Sequence, residues 1–315
     1  MQEVRRVDLV GVGLNATDTL IPLKQFPVSG SKIEYESATI MPGGQVATTV
    51  AACQAWGLSS RYVGKLGRDD AAQLHEKEFQ RLGVEACLVY AQEGSSPRSM
   101  ILVDAAGERT VICQRDPRLR LQPNELKQEW ITAARILHVD GFDTEAATQA
   151  ARWAHDAGVL VVADLDEEYE GVYELLPLID YLIVSRDFPL KITGDHDLHR
   201  ALQELHNRFQ CKLTAATLGP EGVIAWDGNE IHDRRAYRVP TVDTTGAGDI
   251  FHAGFIYGLL QGWELDRQLD FACAAAAINC KFAGARGGIQ GVEAIEELMQ
   301  SGERYLQDGD NRCGS

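Results

Sequence analysis

Basic residues are scarce in this chain of 315 amino acids: 30 Lys and Arg stand against 46 Asp and Glu, a formal net charge of −16. That deficit excludes a protein that tracks nucleic-acid phosphates, which needs a basic footprint. It also excludes adhesion to anionic membrane surfaces. Nucleotide binding stays open, because it needs only a local positive field. The seven cysteines (53, 87, 113, 211, 273, 280 and 313) are scattered and include no CxxC pair. A disulfide framework or a zinc site is therefore not expected, and reduced thiols in a cytoplasmic protein are. Long apolar runs are missing too: Ala272–Cys280 falls far short of a membrane span. The opening Met1-Gln2-Glu3-Val4-Arg5-Arg6 leads straight into a strand-like run, without the apolar stretch of a signal peptide. His196, His199 and His206 have no Cys or Glu to complete a metal set and read as a solvated helix face.

What is present is an alternation of apolar strands and helices. Strands are expected at Val7–Gly13, Arg61–Lys65, Ile136–Asp140, Val159–Ala163, Tyr181–Val184 and Leu213–Thr217. Helices are expected at Gly44–Trp56, Asp69–Leu82, Thr144–Ala157, Asp249–Gln261 and Asp266–Phe282. Asp69 and Thr144 serve as expected N-caps, and Gly57, Gly83 and Gly158 as stops. Continuous apolar strands separated by helices mark a doubly wound, mostly parallel α/β sheet covered on both faces. Two regions break the rhythm. Residues 17–42 carry β-type alternation at Lys32-Ile33-Glu34-Tyr35-Glu36, and residues 97–114 read as a hairpin about Asp104-Ala105-Ala106-Gly107. Together they are expected to form a small β-lid on a single α/β domain spanning 1–315. A lone two-stranded element is marginal in water, so the pieces are expected to join one sheet whose outer face a dimer partner covers. The last dozen residues read as frayed.

The stretch Val242-Asp243-Thr244-Thr245-Gly246-Ala247-Gly248-Asp249 carries the chemistry. Small residues sit where a loop enters a helix, so unpaired backbone N–H groups and the helix dipole form an anion pocket. Asp249 puts a carboxylate beside it, where a base can orient and deprotonate an attacking hydroxyl. Read as a bare GxGD, the same acid would be an N-cap after a Gly-rich loop.

The string DTTGAGD resembles the signature of the PfkB, or ribokinase-like, carbohydrate kinases. The resemblance runs along nearly the whole chain through Gly11-Val12-Gly13 with Asp18, the Pro42-Gly43-Gly44 helix start, Val63–Asp70, Thr217-Leu218-Gly219-Pro220-Glu221-Gly222, and Phe271–Ala277 with Gly284-Ala285. It implies a ribokinase-like fold and an ATP- and Mg²⁺-dependent kinase acting on a hydroxyl of a small sugar. It further implies Asp249 as general base and Gly246, Ala247 and Gly248 as anion hole. Asp18, Gly43, Gly44, Thr48 and Asp140 become sugar-side residues. Thr217, Gly219, Gly222 and Cys273 become nucleotide-side residues. Backbone carbonyls near Asp243, Thr245, Phe282 and Gly284 become a monovalent-cation (K⁺) site.

Departures from the family pattern are informative. Thr48 and Ala16 stand where amides are common, which argues against ribose itself, since Thr offers a hydroxyl and Ala nothing. The NxxE motif reads Ser185-Arg186-Asp187-Phe188, with Asp187 as a partial substitute, and Cys273 makes the base pocket less polar. Lys32, Arg98 and Arg109 are candidates to hold a phosphorylated or sulfonated sugar. The segments 99–109 and Lys281–Ile289 resemble the sulfofructose-kinase-like branch, and neutral ketohexoses stand beside anionic sugars as acceptors. A P-loop enzyme is excluded because no GxxxxGK[ST] occurs. A dehydrogenase reading has only Gly11-Val12-Gly13, without the third glycine. A catalytically impaired sugar or nucleotide sensor and a nucleoside kinase are the remaining alternatives.

Overall fold

The computed structural model describes residues 5–105 and 109–305. Thirteen strands form two sheets. They are β1 (Val7–Val12), β2 (Ala16–Pro22), β3 (Thr39–Gly43), β4 (Ser60–Leu66), β5 (Glu85–Tyr90), β6 (Arg98–Val103), β7 (Arg109–Gln114), β8 (Ala134–Asp140), β9 (Leu160–Leu165), β10 (Tyr181–Ser185), β11 (Leu213–Thr217), β12 (Val223–Trp226) and β13 (Ile231–Arg234). The large sheet has the order β13-β12-β11-β10-β9-β8-β1-β4-β5. Its strands are parallel from β11 to β5, while β12 and β13 add an antiparallel edge. From β1 the chain winds outward through β4 and β5, then returns to β8 and winds the other way. The order therefore reverses beside β1, where an open α/β sheet offers its crevice at the strand C-termini.

Strand side chains alternate between two cores. Leu9, Ile136, Val162 and Ile183 pack into one, with the helices Gln45–Ala55, Ala247–Leu260 and Leu265–Asn279. Val10, Leu137, Val161 and Leu182 pack into the other, with Thr144–Ala157 and Leu198–Phe209. Gly254 has a packing role: a Cβ there would fall 2.7 Å from Ala272 Cα, so glycine lets two apolar helices close on each other.

The small sheet has the order β3-β2-β6-β7. Its pleat sorts residues onto two faces. Asp18, Ser99 and Cys113 share one row, and Leu20, Ile101 and Val111 the next. The intervening row of Thr19, Ile40, Met100 and Ile112 points the opposite way, where Ile40, Met100 and Ile112 are 61%, 51% and 54% exposed.

Several local expectations are corrected. Lys32–Glu36 is not a strand; residues 23–38 lie outside the sheets and residues 28–38 are exposed, so the alternation there has no ladder to join. The N-cap of the third long helix is Asp143. Thr144 is its first residue, and its hydroxyl donates to Gly141 O at 2.8 Å. Asp69 does cap its helix, accepting from Ala72 N at 3.0 Å. Strands β5, β12 and β13 and the helix Val292–Ser301 are elements the sequence pattern does not announce, whereas the helix Leu198–Phe209 carries the histidine face expected there. Ala106 and Gly107 of the expected hairpin turn, and the chain beyond residue 305, lie outside the described residues.

Candidate active site

One cleft of about 680 Å³ lies between the small sheet and the C-terminal ends of the parallel strands. The body supplies its anion-binding edge. Gly246, with φ 76°, starts the helix Ala247–Leu260. A Cβ at this position would fall 2.6 Å from Ala285 Cα, so both the backbone turn and the close approach require glycine. Ala247 N–H donates to Thr244 O at 3.2 Å. Gly248 and Asp249 occupy the first helical turn, whose N–H groups have no helical carbonyl to bond. The loop is braced from below. Asp243 accepts from Thr245 N at 2.9 Å, Thr245 Oγ1 at 2.7 Å and Gly284 N at 2.8 Å, while Asn279 Nδ2 donates to Thr245 O at 3.0 Å.

Asp249 faces the cleft beside this loop. Desolvation pushes its carboxyl up to about 8, and Asp164 and Asp18 push the same way, while His252 and Arg109 pull it down. Asp18 enters from β2 and is buried. Desolvation raises it to about 6, against the Ser99 hydrogen bond and the Arg286 charge. Thr217, Gly219, Gly222 and Cys273 line the opposite half of the same cleft, with Ala276, Ala277 and Tyr237. Cys273 is buried there, and burial pushes its thiol up to about 12.

Other expected residues do not line the cleft. Asp140 is fully buried and turned to backbone: its Oδ2 accepts from Leu14 N at 2.8 Å and its Oδ1 from Phe142 N at 2.9 Å. It holds the turn after β1 in place rather than facing a ligand. Gly43 and Thr48 are tied to Arg286, which donates to Gly43 O at 2.8 Å and to Thr48 Oγ1 at 3.2 Å. Asp243 and Gly284 act through the bracing described above, and Phe282 does not line the cleft. Asp187 is exposed and lies off the cleft, so it does not take up the acid of NxxE. Among the basic candidates, Arg98 pairs with Asp70, and Lys32 sits in the exposed 28–38 segment. Arg109 alone of the three lines the cleft. Its guanidinium crosses from the small sheet to Thr244, donating to the carbonyl at 2.6 Å and to Oγ1 at 2.8 Å.

Further cleft residues come from elements that the motifs did not flag. Asp164 near the C-terminal end of β9 and Asp166 just after that strand lie one and three residues beyond the expected strand, and Asp166 accepts from Tyr169 OH at 2.6 Å. The D-x-D pattern closing an apolar strand was a readable signal. Arg115, just after β7, lines the cleft with its guanidinium 5.2 Å from the centre of the Phe142 ring. Arg286 lies behind Gly43, where desolvation lowers it to about 10 and its Nη1 is buried without a partner. His252, one helical turn after Asp249, also faces the cleft.

Known proteins share this architecture. A Thermotoga maritima ribokinase superposes with a TM-score of 0.80 at 22% identity, covering 94% of this chain and all of that one. An Arabidopsis thaliana ribokinase complexed with ribose and ATP gives 0.80 at 22% identity, covering 94% and 99%. These likenesses show the ribokinase-like fold. In sequence, the chain is 24% identical over 328 residues to a 5-dehydro-2-deoxygluconokinase of Geobacillus thermodenitrificans, covering 95% of this chain and 94% of that protein. It is 27% identical over 281 residues to an ATP-dependent ribose-1-phosphate kinase of Halopiger xanaduensis, covering 85% and 90%. The relatives are sugar kinases, phosphotransferases with a hydroxyl acceptor. The family profile of the pfkB carbohydrate kinases matches residues 10–290, and the chain belongs to that family.

Proposed function

We propose that this protein transfers the γ-phosphoryl group of ATP to a hydroxyl of a small, negatively charged sugar. The observation that carries the charge preference is Arg115. It lines the cleft with its guanidinium over the face of Phe142, and among the described residues no hydrogen bond or ion pair ties it to a carboxylate, although its charge is felt by the buried Asp140. In a protein of net charge −16, a guanidinium left with its hydrogen-bond fork available in the cleft suits a carboxylate, phosphate or sulfonate on the acceptor. Two relatives, named for 5-dehydro-2-deoxygluconate and ribose 1-phosphate, support an anionic acceptor.

In this reading the sugar lies under the small sheet against Asp18 and Gly44. A carboxylate only accepts hydrogen bonds, so Asp18 suits a vicinal diol. The nucleotide lies along Thr217, Gly219 and Gly222, with its base toward Cys273 and Ala277. Asp249 takes the hydroxyl proton as the new O–P bond forms and the bond from the γ-phosphorus to the bridging oxygen breaks, releasing ADP. The N–H groups of Gly246 and Gly248 stabilise charge on the transferring group, while the Ala247 N–H, bonded to Thr244 O, keeps the turn in shape. Mg²⁺ would be held mainly by the nucleotide's phosphates and water, and would supply charge neutralisation on the transferring group. The Gly284 N–H to Asp243 bond holds two loops side by side, which fits a K⁺ bound by carbonyls of Asp243, Thr245, Phe282 and Gly284. The small sheet acts as a lid, with Arg109 on Thr244 as its latch. The exposed row Ile40, Met100 and Ile112 suits cover by a second copy of the chain.

The test is ADP release measured over a panel of sugar acids, sugar phosphates, sulfonated sugars and neutral ketohexoses. Turnover is expected with an anionic member. Turnover confined to neutral sugars would overturn the charge assignment. ATP binding without turnover on any sugar would overturn the kinase reading in favour of a sensor.

A further inference from the structure

The family profile ends at residue 290, yet a residue beyond it reaches the cleft. Residues 302–305 follow the helix Val292–Ser301 and run antiparallel to residues 235–238. Arg238 N–H donates to Glu303 O at 2.7 Å, and Tyr305 N–H donates to Ala236 O at 3.1 Å. Arg304 fastens the segment. Its guanidinium lies 4.0 Å from the centre of the Tyr237 ring and donates to Arg235 O at 2.6 Å, to Tyr237 OH at 2.5 Å and to Asp270. These anchors fix where Tyr305 stands, half-buried at the wall of the cleft. Its neighbours define that wall. A Cβ on Gly222 would fall 2.8 Å from Ala236 N, and Cys273 Sγ lies 3.8 Å from Arg234 O. Tyr305 therefore belongs to the half of the cleft that holds Gly222 and Cys273.

Among the described residues two tyrosines line the cleft, and they differ. Tyr237 is buried, its hydroxyl donates to Asp270 at 2.8 Å, and Arg304 covers its ring. Neither a cation nor another ring among the described residues covers Tyr305, and its hydroxyl has no partner there. Cys273, Ala276 and Ala277 line the same half with small side chains, which suits a flat group lying beside them. We propose that Tyr305 stacks on the base of the bound nucleotide, and that Arg304 is the positioning residue that holds the 302–305 segment as the outer wall of the nucleotide site. Stacking needs only a π-face, which every base has, so this wall adds affinity without reading the edge of the base. The proposal rests on the reading that ATP occupies this half of the cleft.

Calorimetric titration with MgATP needs no sugar acceptor and tests the contact directly. Tyr305→Ala is expected to weaken ATP by about tenfold or more, the usual cost of a lost base–aromatic stack. Tyr305→Phe keeps the ring and is expected to bind ATP as wild type does. Inorganic tripolyphosphate carries the phosphates without a base, and it is expected to bind wild type and Tyr305→Ala alike. Arg304→Met frees the segment and is expected to repeat this pattern, with ATP weakened and tripolyphosphate unchanged. Equal ATP affinity in wild type and Tyr305→Ala would overturn the proposal. An equal loss of ATP and tripolyphosphate would also overturn it, because it would mark the segment as packing only. A wild-type protein that does not bind ATP at all would instead overturn the kinase reading on which the proposal rests.

Discussion

Replacing Asp249 with Asn should abolish turnover and at the same time stabilise the fold. The carboxyl is deeply desolvated, and its folded-state pKa stands at about 8 against an ordinary 3.8. A carboxyl raised on folding binds its proton more tightly in the native state. Its contribution to stability therefore falls as pH rises from about 3.8 to about 8 and is flat above that. At about 1.36 kcal/mol per unit, the ceiling on this cost is about 6 kcal/mol. Relaxation and water entry lower it, and the amide of Asn needs partners of its own, which leaves about 1–3 kcal/mol. Unfolding entropy of about 2.1 cal/mol/K per residue converts this to a Tm rise of about 2–5 °C for a chain of this length. Differential scanning calorimetry at alkaline pH should show the rise, and it should shrink toward pH 5. The loss of the proton acceptor should lower kcat by about 10²-fold or more, with ATP affinity retained. A variant less stable than wild type at alkaline pH would refute the desolvation argument. Activity within about tenfold of wild type would remove Asp249 from the chemistry.

Other substitutions separate the remaining roles. Asp18→Ala should raise KM for the sugar and leave KM for ATP little changed; selective loss of ATP affinity would place the sugar on the wrong side of the anion loop. Arg115→Met should weaken an anionic acceptor by about 1.5–3 kcal/mol, read as kcat/KM, and leave a neutral analogue unaffected. Arg109→Ala removes the contact with Thr244 and should lower kcat/KM for charged and neutral acceptors alike; a loss confined to charged ones would make Arg109 a substrate ligand. Met100→Glu, at the centre of the exposed lid row, should convert a dimer to a monomer in light scattering, and an unchanged mass would exclude that face as the interface.

Reading outward from residues, the parallel body and the Gly246–Asp249 loop were legible for different reasons. A strand buried on both faces must be continuously apolar, as Leu213–Thr217 nearly is, whatever lies beside it. An anion loop at a helix start is made by consecutive residues, so adjacency in sequence is adjacency in space. The alternation at Lys32–Glu36 misled because a period of two shows only that a segment could pleat; a strand also needs a neighbour to bond, and residues 23–38 find none.

Tertiary structure decided everything that depends on which strand ends meet. Asp140 and Asp164 both stand at the ends of apolar strands and look alike in sequence, yet the turn after β1 delivers the Leu14 N–H to Asp140 and the turn after β8 the Phe142 N–H, and neither reaches Asp164. One becomes a backbone clamp off the cleft and the other an acid facing it. Arg109 and Arg115 are equally basic and six residues apart, and only the closure of the lid on Thr244 occupies one while leaving the other beside Phe142. Arg286 is far along the chain from the Asp18 and Asp249 carboxylates it influences, so its charge enters the site through packing alone. Electrostatic energy depends on distance and burial, and neither is a property of a residue until the chain has folded.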